Sequence, residues 1–141
     1  MAISYSRMLA ITSKSPYAVR ALSELARRGS SQPVPIGEIA RARDIPVQFL
    51  EGLFATLRRA GILQSQRGVK GGYLFGRPAD QVTVLEVVEL LEGPLGPEAS
   101  QSTADVWCEA VEAVRAVLGR TTIADVAERE TEAAATPMYY I

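Results

Sequence analysis

Residues 46–77 read PVQFLEGLFATLRRAGILQSQRGVKGGYLFGR, and the hydrophobic period changes partway along them. Over 46–60, Phe49, Leu50, Leu53, Phe54 and Leu57 recur at three- and four-residue intervals, the mark of an amphipathic helix. Pro46 suits its first turn and Gly61 its end. From residue 62 the period becomes extended. Residues 62–67 and 73–77 read as two short strands, with Gly68-Val69-Lys70-Gly71-Gly72 as the hairpin loop between them. The apolar face of the helix needs partners, and these lie upstream. Ala18, Ala21, Leu22, Leu25 and Ala26 predict a first helix. It opens at Ser15-Pro16, a capping hydroxyl before a first-turn proline, and stops at Gly29 with Ser30-Ser31. Residues 36–43 predict a short second helix carrying Ile39 and Ala40 inward, joined to the third through Asp44-Ile45-Pro46. Three helices and then a hairpin is the order of a winged helix-turn-helix: mainly α, with a small β-hairpin wing. In that arrangement the third helix enters the major groove, and the wing reaches the backbone or the minor groove.

Downstream, Thr83-Val84-Leu85-Glu86 predicts a capping box that opens a fourth helix, ending at Gly93-Pro94. Residues 93–102 read as a Gly/Pro/Ser linker. A long helix over about 103–118 carries Trp107, Val111, Val114 and Leu118 as an apolar stripe. Thr122-Ile123-Ala124-Asp125 is a further short N-capped start, and the Ala- and Thr-rich stretch from Glu130 has no clear end. The expected organisation is a DNA-binding winged helix-turn-helix domain over 9–80 and a helical dimerisation and effector region over 81–130. Residues 1–8 and 131–141 read as flexible termini.

Composition narrows the function. The net charge of −1 conceals an asymmetry: residues 1–80 hold twelve bases and five acids, and residues 81–141 three bases and eleven acids. A +7 half joined to a −8 half points to a polyanion-binding module attached to something else. The chain has no histidine and one cysteine. Histidine-based acid–base or nucleophilic catalysis is therefore excluded, as is a Cys/His zinc site; carboxylate or lysine catalysis stays open on paper but has no signature here, so neither an enzyme nor a metal or cofactor is expected. No apolar run is long enough to span a bilayer, and residues 1–11 do not read as a signal peptide. A cytoplasmic protein that does not engage a membrane is the expectation, and the lone Cys108 permits no internal disulfide.

With the third helix centred on Leu50 and Leu53, its opposite face presents Gln48, Glu51, Gly52, Ala55 and Arg59, with Arg58 beside them. The Gln48 amide can pair with adenine, and the Glu51 carboxylate can accept from the cytosine amino group. Gly52 and Ala55 are small enough to let the helix axis approach the bases. In the wing, Arg67-Gly68 leads to Lys70-Gly71-Gly72-Tyr73. A narrow tip carrying a guanidinium suits the minor groove, whose negative potential attracts arginine. A phosphate-binding loop is rejected, because no Ser or Thr follows Lys70 and a strand follows instead of a helix. The plainer alternatives are a solvated helix surface and a purely structural hairpin.

Together these residues resemble the Rrf-two (Rrf2) family of bacterial transcription regulators, which includes IscR, NsrR and CymR. The carrying motifs are Thr12-Ser13-Lys14 with 17–22, Ile39-Ala40, Phe49-Leu50-Glu51 through Gly61, and Arg67-Gly68 with Gly71-Gly72-Tyr73. Residues 84–93, Val106-Trp107 and 122–125 extend the likeness over about 9–129. The resemblance implies a homodimer that reads a roughly palindromic operator on double-stranded DNA, paired through the long helix that carries Trp107, Val111, Val114 and Leu118; repression by blocking polymerase is the expected outcome, and activation the alternative. It adds Lys14 as a phosphate contact. Iron–sulfur members carry three cysteines before the Trp-bearing helix, whereas residues 93–106 here carry none. That places the chain nearer the cluster-free CymR branch. Ser15-Pro16 and Pro46-Val47 also depart from the polar or glycine residues common there. Cys108 reads either as a redox switch or as a small buried residue of the dimer helix. The effector reads as a small molecule or a partner protein acting between wing domain and dimer helix. A winged-helix protein-interaction module is the competing function; it would want an apolar outer face on the third helix, and Gln48, Glu51 and Arg59 oppose it.

Overall fold

The computed structural model describes residues 11–29, 31–96 and 106–135. In chain order they form α1 (Lys14–Arg28), α2 (Ile36–Arg43), α3 (Val47–Arg59), β1 (Leu63–Gln66), β2 (Gly72–Phe75), a 3-10 turn (Ala79–Gln81), α4 (Val84–Glu92), α5 (Val106–Arg120) and α6 (Ile123–Ala135).

Helix α1 buries Ala18, Ala21, Leu22 and Leu25 on one face. It ends at Gly29, whose left-handed backbone donates to the Ala26 carbonyl. Its start differs from expectation. The helix begins at Lys14, and Ser15 is buried with its hydroxyl donated to Glu92 Oε2 at 2.8 Å. Ser15 is a tertiary contact and not the cap. Helix α2 keeps the expected bounds and turns into α3 through Asp44, held at φ 54°. Helix α3 buries Leu50, Leu53, Phe54 and Leu57, each contributing about 1.5–3 kcal/mol of apolar transfer.

The two strands pair antiparallel in the register Leu63↔Phe75 to Gln66↔Gly72. On the other edge of β2, Tyr73 exchanges backbone hydrogen bonds with Val34 at 2.9 and 3.0 Å, so the α1–α2 connection closes over the wing. Helix α4 is capped by Thr83, which accepts from the Glu86 N–H at 3.1 Å. The Glu86 carboxylate does not complete the box; it pairs with Arg77.

The core does not divide at residue 80. Val82, Val84, Val87, Val88, Val111 and Ile123 belong to the same buried cluster as Leu22, Leu50 and Phe54. Helix α6 runs back along α1, with Glu130 beside Ser23. It continues to Ala135, so 131–135 are helical and not a flexible end, as their alanines favour. The expected flexibility of 1–8 and 136–141, and the helical start at 103–105, lie outside the described residues. Among the described residues no helix is long and apolar enough to cross a membrane.

Candidate nucleic-acid interface

The described basic residues of the first half fall mainly into two groups. Arg27, Arg28, Arg43 and Arg77 form ion pairs with Glu24, Glu38, Glu86 or Glu130. Arg20 donates to the Arg43 carbonyl at 2.6 Å and lies over the Tyr17 ring. The second group, Lys14, Arg41, Arg58, Arg59, Arg67 and Lys70, is exposed, and none of its members is in an ion pair among the described residues. Arg59 reaches only the Thr56 hydroxyl, at 3.3 Å. The unpaired cations thus sit at the start of α1, the end of α2, the last turn of α3 and the wing.

Opposite its buried face, α3 exposes Gln48, Glu51 and Gly52, with Ala55 half-buried. Gly52 is informative. A glycine inside a helix costs roughly 0.5–1 kcal/mol relative to alanine. A Cβ added there would meet nothing within 4 Å, so the fold gives no reason for it. Nothing within the chain requires a bare backbone at this position.

In the wing, the Gly71 N–H donates to the Gly68 carbonyl at 2.9 Å, closing a four-residue turn with Val69 and Lys70 at its tip. Arg67, Gly68, Val69 and Lys70 are exposed. The motif's other half has structural duties. A Cβ on Gly71 would lie 2.4 Å from the Gln66 carbonyl oxygen, and one on Gly72 would lie 2.3 Å from the Val34 carbonyl. Both glycines exist for close backbone approach. Tyr73 is half-buried and packs edge-on against Phe54 with ring centroids 5.0 Å apart, fixing the wing to α3. The expected DNA contacts therefore separate into exposed Arg67, Gly68 and Lys70 and supporting Gly71, Gly72 and Tyr73.

Two polar nodes hold the frame. Glu92, at the end of α4, accepts from the Thr12 N–H, the Thr12 hydroxyl and the Ser15 hydroxyl, each at 2.8 Å, and so fixes the turn that carries Lys14. Burial alone would raise its pKa, but the bonds from Ser15 and Thr12 outweigh that and hold the carboxyl below its ordinary value. Arg43 is the second node, with its side chain only 13% exposed. It donates to Glu24 at 2.8 Å and to both Glu130 oxygens at 2.9 and 2.8 Å. The Arg43 hydrogen bonds pull the Glu130 carboxyl down to about 2, against the opposing effect of burial, with Ser23 and Arg27 assisting. This node joins α6 to the α1–α2 pair immediately before α3. Neither Arg43 nor Arg41 stands out in the sequence among so many arginines.

Of the stripe expected to meet a second copy, Trp107 faces outward and the other three residues face inward. Val111 is buried in the chain's own core, with Val114 and Leu118 packed against it. The exposed side of α5 carries Val106 and Trp107, 62% and 54% exposed, and Val117 at 44%. Cys108 is half-buried. An apolar cleft of about 460 Å³ lies between α1, β2 and α6, lined by Leu25, Ala26, Leu74, Phe75, Ala124 and Ala127 among others.

Residues 11–129 match the Rrf2 family profile, described as an iron-dependent transcriptional regulator. The chain is 36% identical over 129 residues to a putative HTH-type transcriptional regulator of Mycobacterium tuberculosis, Rv1287, covering 83% of this chain and 80% of that one. It is 31% identical over 136 residues to the HTH-type transcriptional regulator CymR of Bacillus subtilis, covering 93% and 99%. The solved structure of that CymR, described as the global cysteine regulator of B. subtilis, superposes with a TM-score of 0.78 at 32% identity, over 86% of this chain and 98% of that one. The structure of T. potens IscR superposes with a TM-score of 0.77, also at 32% identity, over 92% and 93%. These proteins are regulators and not enzymes. The family description implies iron, and the donor set here does not fit it. The sequence offers Cys108 alone and no histidine, and among the described residues no three His, Cys, Asp or Glu side chains converge.

Proposed function

The chain belongs to the Rrf2 family of transcriptional regulators, and from that premise we propose that it is a sequence-specific DNA-binding repressor, gripping a roughly palindromic operator as a cytoplasmic homodimer without an iron–sulfur cluster. The observation that carries this reading is the segregation of charge. Arginines needed for the fold are paired with glutamates, while those on α3, the wing and the flanking helix ends are left for phosphates. Gln48, Glu51 and Gly52 supply the base-facing surface of α3, and Arg67 the minor-groove contact. Lys14, Arg58, Arg59 and Lys70 bind backbone, and Arg41 joins them.

Two copies pair through the exposed face of α5. Val106, Ala110, Ala113 and Val117 follow one another at four-, three- and four-residue steps, the seam spacing of paired helices, with Trp107 at its side. Pairing sets the two α3 helices about one duplex turn apart, roughly 34 Å or a multiple of it. Bound protein blocks polymerase. An effector, small molecule or partner protein, acts between the winged helix and the α5–α6 arm and changes that spacing.

The test is a salt titration of binding to the DNA upstream of the protein's own gene, against a scrambled duplex, with visible absorbance recorded on the same sample. Promoter-specific binding that falls steeply with salt, from a colourless protein, is expected. Absence of DNA binding even at low salt would replace this reading with a protein-interaction module. A coloured protein would overturn the cluster-free assignment.

A further inference from the structure

Val69 stands at the extreme tip of the wing with a relative exposure of 106%. Among the described residues no other large apolar side chain exceeds 62%. Isolated exposed apolar residues are commonplace on protein surfaces, but this one is also out of place locally. It occupies the first central position of the turn closed from Gly71 to Gly68, where proline or a polar residue is favoured and a β-branched residue gains nothing. The fold makes no contact that would explain it. Its neighbours are the unpaired cations Arg67 and Lys70. The tip therefore presents cation, apolar group, cation, on a hairpin narrowed by Gly68, Gly71 and Gly72.

We propose that Val69 is a specificity-determining residue: its methyl groups reach the floor of the minor groove and select A·T over G·C base pairs there. This rests on the DNA-binding reading above. The minor-groove edges of A·T and T·A carry only acceptors, whereas G·C adds the guanine 2-amino donor. Arg67 and Lys70 anchor to the groove and its phosphates but carry no acceptor with which to reject or accept that donor. An apolar tip pressed on the floor strips water from the amino group and leaves its N–H unsatisfied, a loss large enough to discriminate about tenfold per base pair. Threonine has the shape of valine and adds one acceptor. Val69→Thr should therefore accept guanine while leaving the turn, the charge and the number of phosphate contacts unchanged.

The experiment uses the highest-affinity duplex that the full-length protein selects from a random pool. Each A·T pair beneath the wing is replaced in turn by G·C and by I·C, inosine lacking the 2-amino group. Wild type should bind A·T and I·C alike and G·C about tenfold more weakly. Val69→Thr should bind all three alike, with the salt slope of wild type. Equal wild-type affinity for the three duplexes, or discrimination that persists in Val69→Thr, would overturn the role of Val69 and leave the regulator reading standing. If instead the protein selects no duplex at all and its binding has no salt slope, the DNA-binding reading itself falls, and the inference with it.

Discussion

Three glycines next to the candidate interface have three different reasons, and substitution separates them. Gly52→Ala adds a methyl group into open space in the free protein. Stability should hold or rise by about 0.5–1 kcal/mol, as for any helical glycine, while operator affinity falls about tenfold or more if the backbone lies against base edges. Urea denaturation and fluorescence anisotropy on one sample check both; unchanged affinity would remove Gly52 from the interface. Gly72→Ala should do the opposite. The Cβ would strike the Val34 carbonyl, and unfolding should become easier by about 2 kcal/mol or more. Gly68 is held at φ 112° and needs its freedom for the turn itself. Arg67→Ala should lower affinity and reduce the log–log salt slope by about one, the signature of one lost phosphate-region contact. The sequence shows the same letter, G, at all of these positions. Which glycines serve the fold and which a ligand depends on what lies opposite, and that is absent from a linear reading. Ser15 was hidden for the same reason, because its partner Glu92 is 77 residues away.

At the scale of elements, legibility followed the clarity of each hydrophobic face. Helix α2 and the apolar face of α3 were readable because Ile39, Leu50, Leu53 and Leu57 leave no competing stripe. Helix α5 is apolar on more than one side, with Val106, Trp107 and Val117 outward and Val111, Val114 and Leu118 inward. Periodicity marks faces and does not say which neighbour each face meets, so Val111, Val114 and Leu118 of the expected stripe pack into the chain's own core while Trp107 stays outside it. The length of α6 was missed because its final turns are alanine, glutamate and threonine without a cap, held by tertiary contacts such as Glu130–Arg43. That contact has a pH signature. Glu130 is pulled from an ordinary 4.5 to about 2. Its stabilisation is therefore complete above about pH 4.5 and is lost as the pH falls towards 2. Glu130→Ala should cost about 1–3 kcal/mol at neutral pH, since Glu130 is only partly shielded from solvent. The gap between variant and wild type in chemical denaturation should close between pH 4.5 and 2. A gap independent of pH would mean that the ion pair contributes nothing.

For the whole molecule, the decisive quantity is the proposed pairing of two copies. Val117→Glu places a charge on the exposed seam of α5 without touching the core. It should convert a dimer into monomers at low micromolar concentration in sedimentation, and should weaken operator binding more than binding to a single half-site. A variant that still sediments as a dimer would move the interface elsewhere. The winged helix-turn-helix architecture and its basic surface were legible from composition and order alone, because they depend on local period and on charge counted by segment. The single core was not, since Val82, Val111 and Ile123 join it only through long-range packing.

The Arg43 node also bears on how such a protein can be rearranged. Regulators are often treated as a reading head to which any pairing module can be grafted. Here the guanidinium just before α3 draws two of its three carboxylate contacts from a helix near the far end of the chain. A polypeptide cut after Gly96 would lose α6, strand Arg43 with Glu24 alone and uncover the buried face of α1 around Ser23. A hybrid that exchanges the arm must therefore carry α6 along, or exchange Ser23, Glu24 and Arg43 together with it.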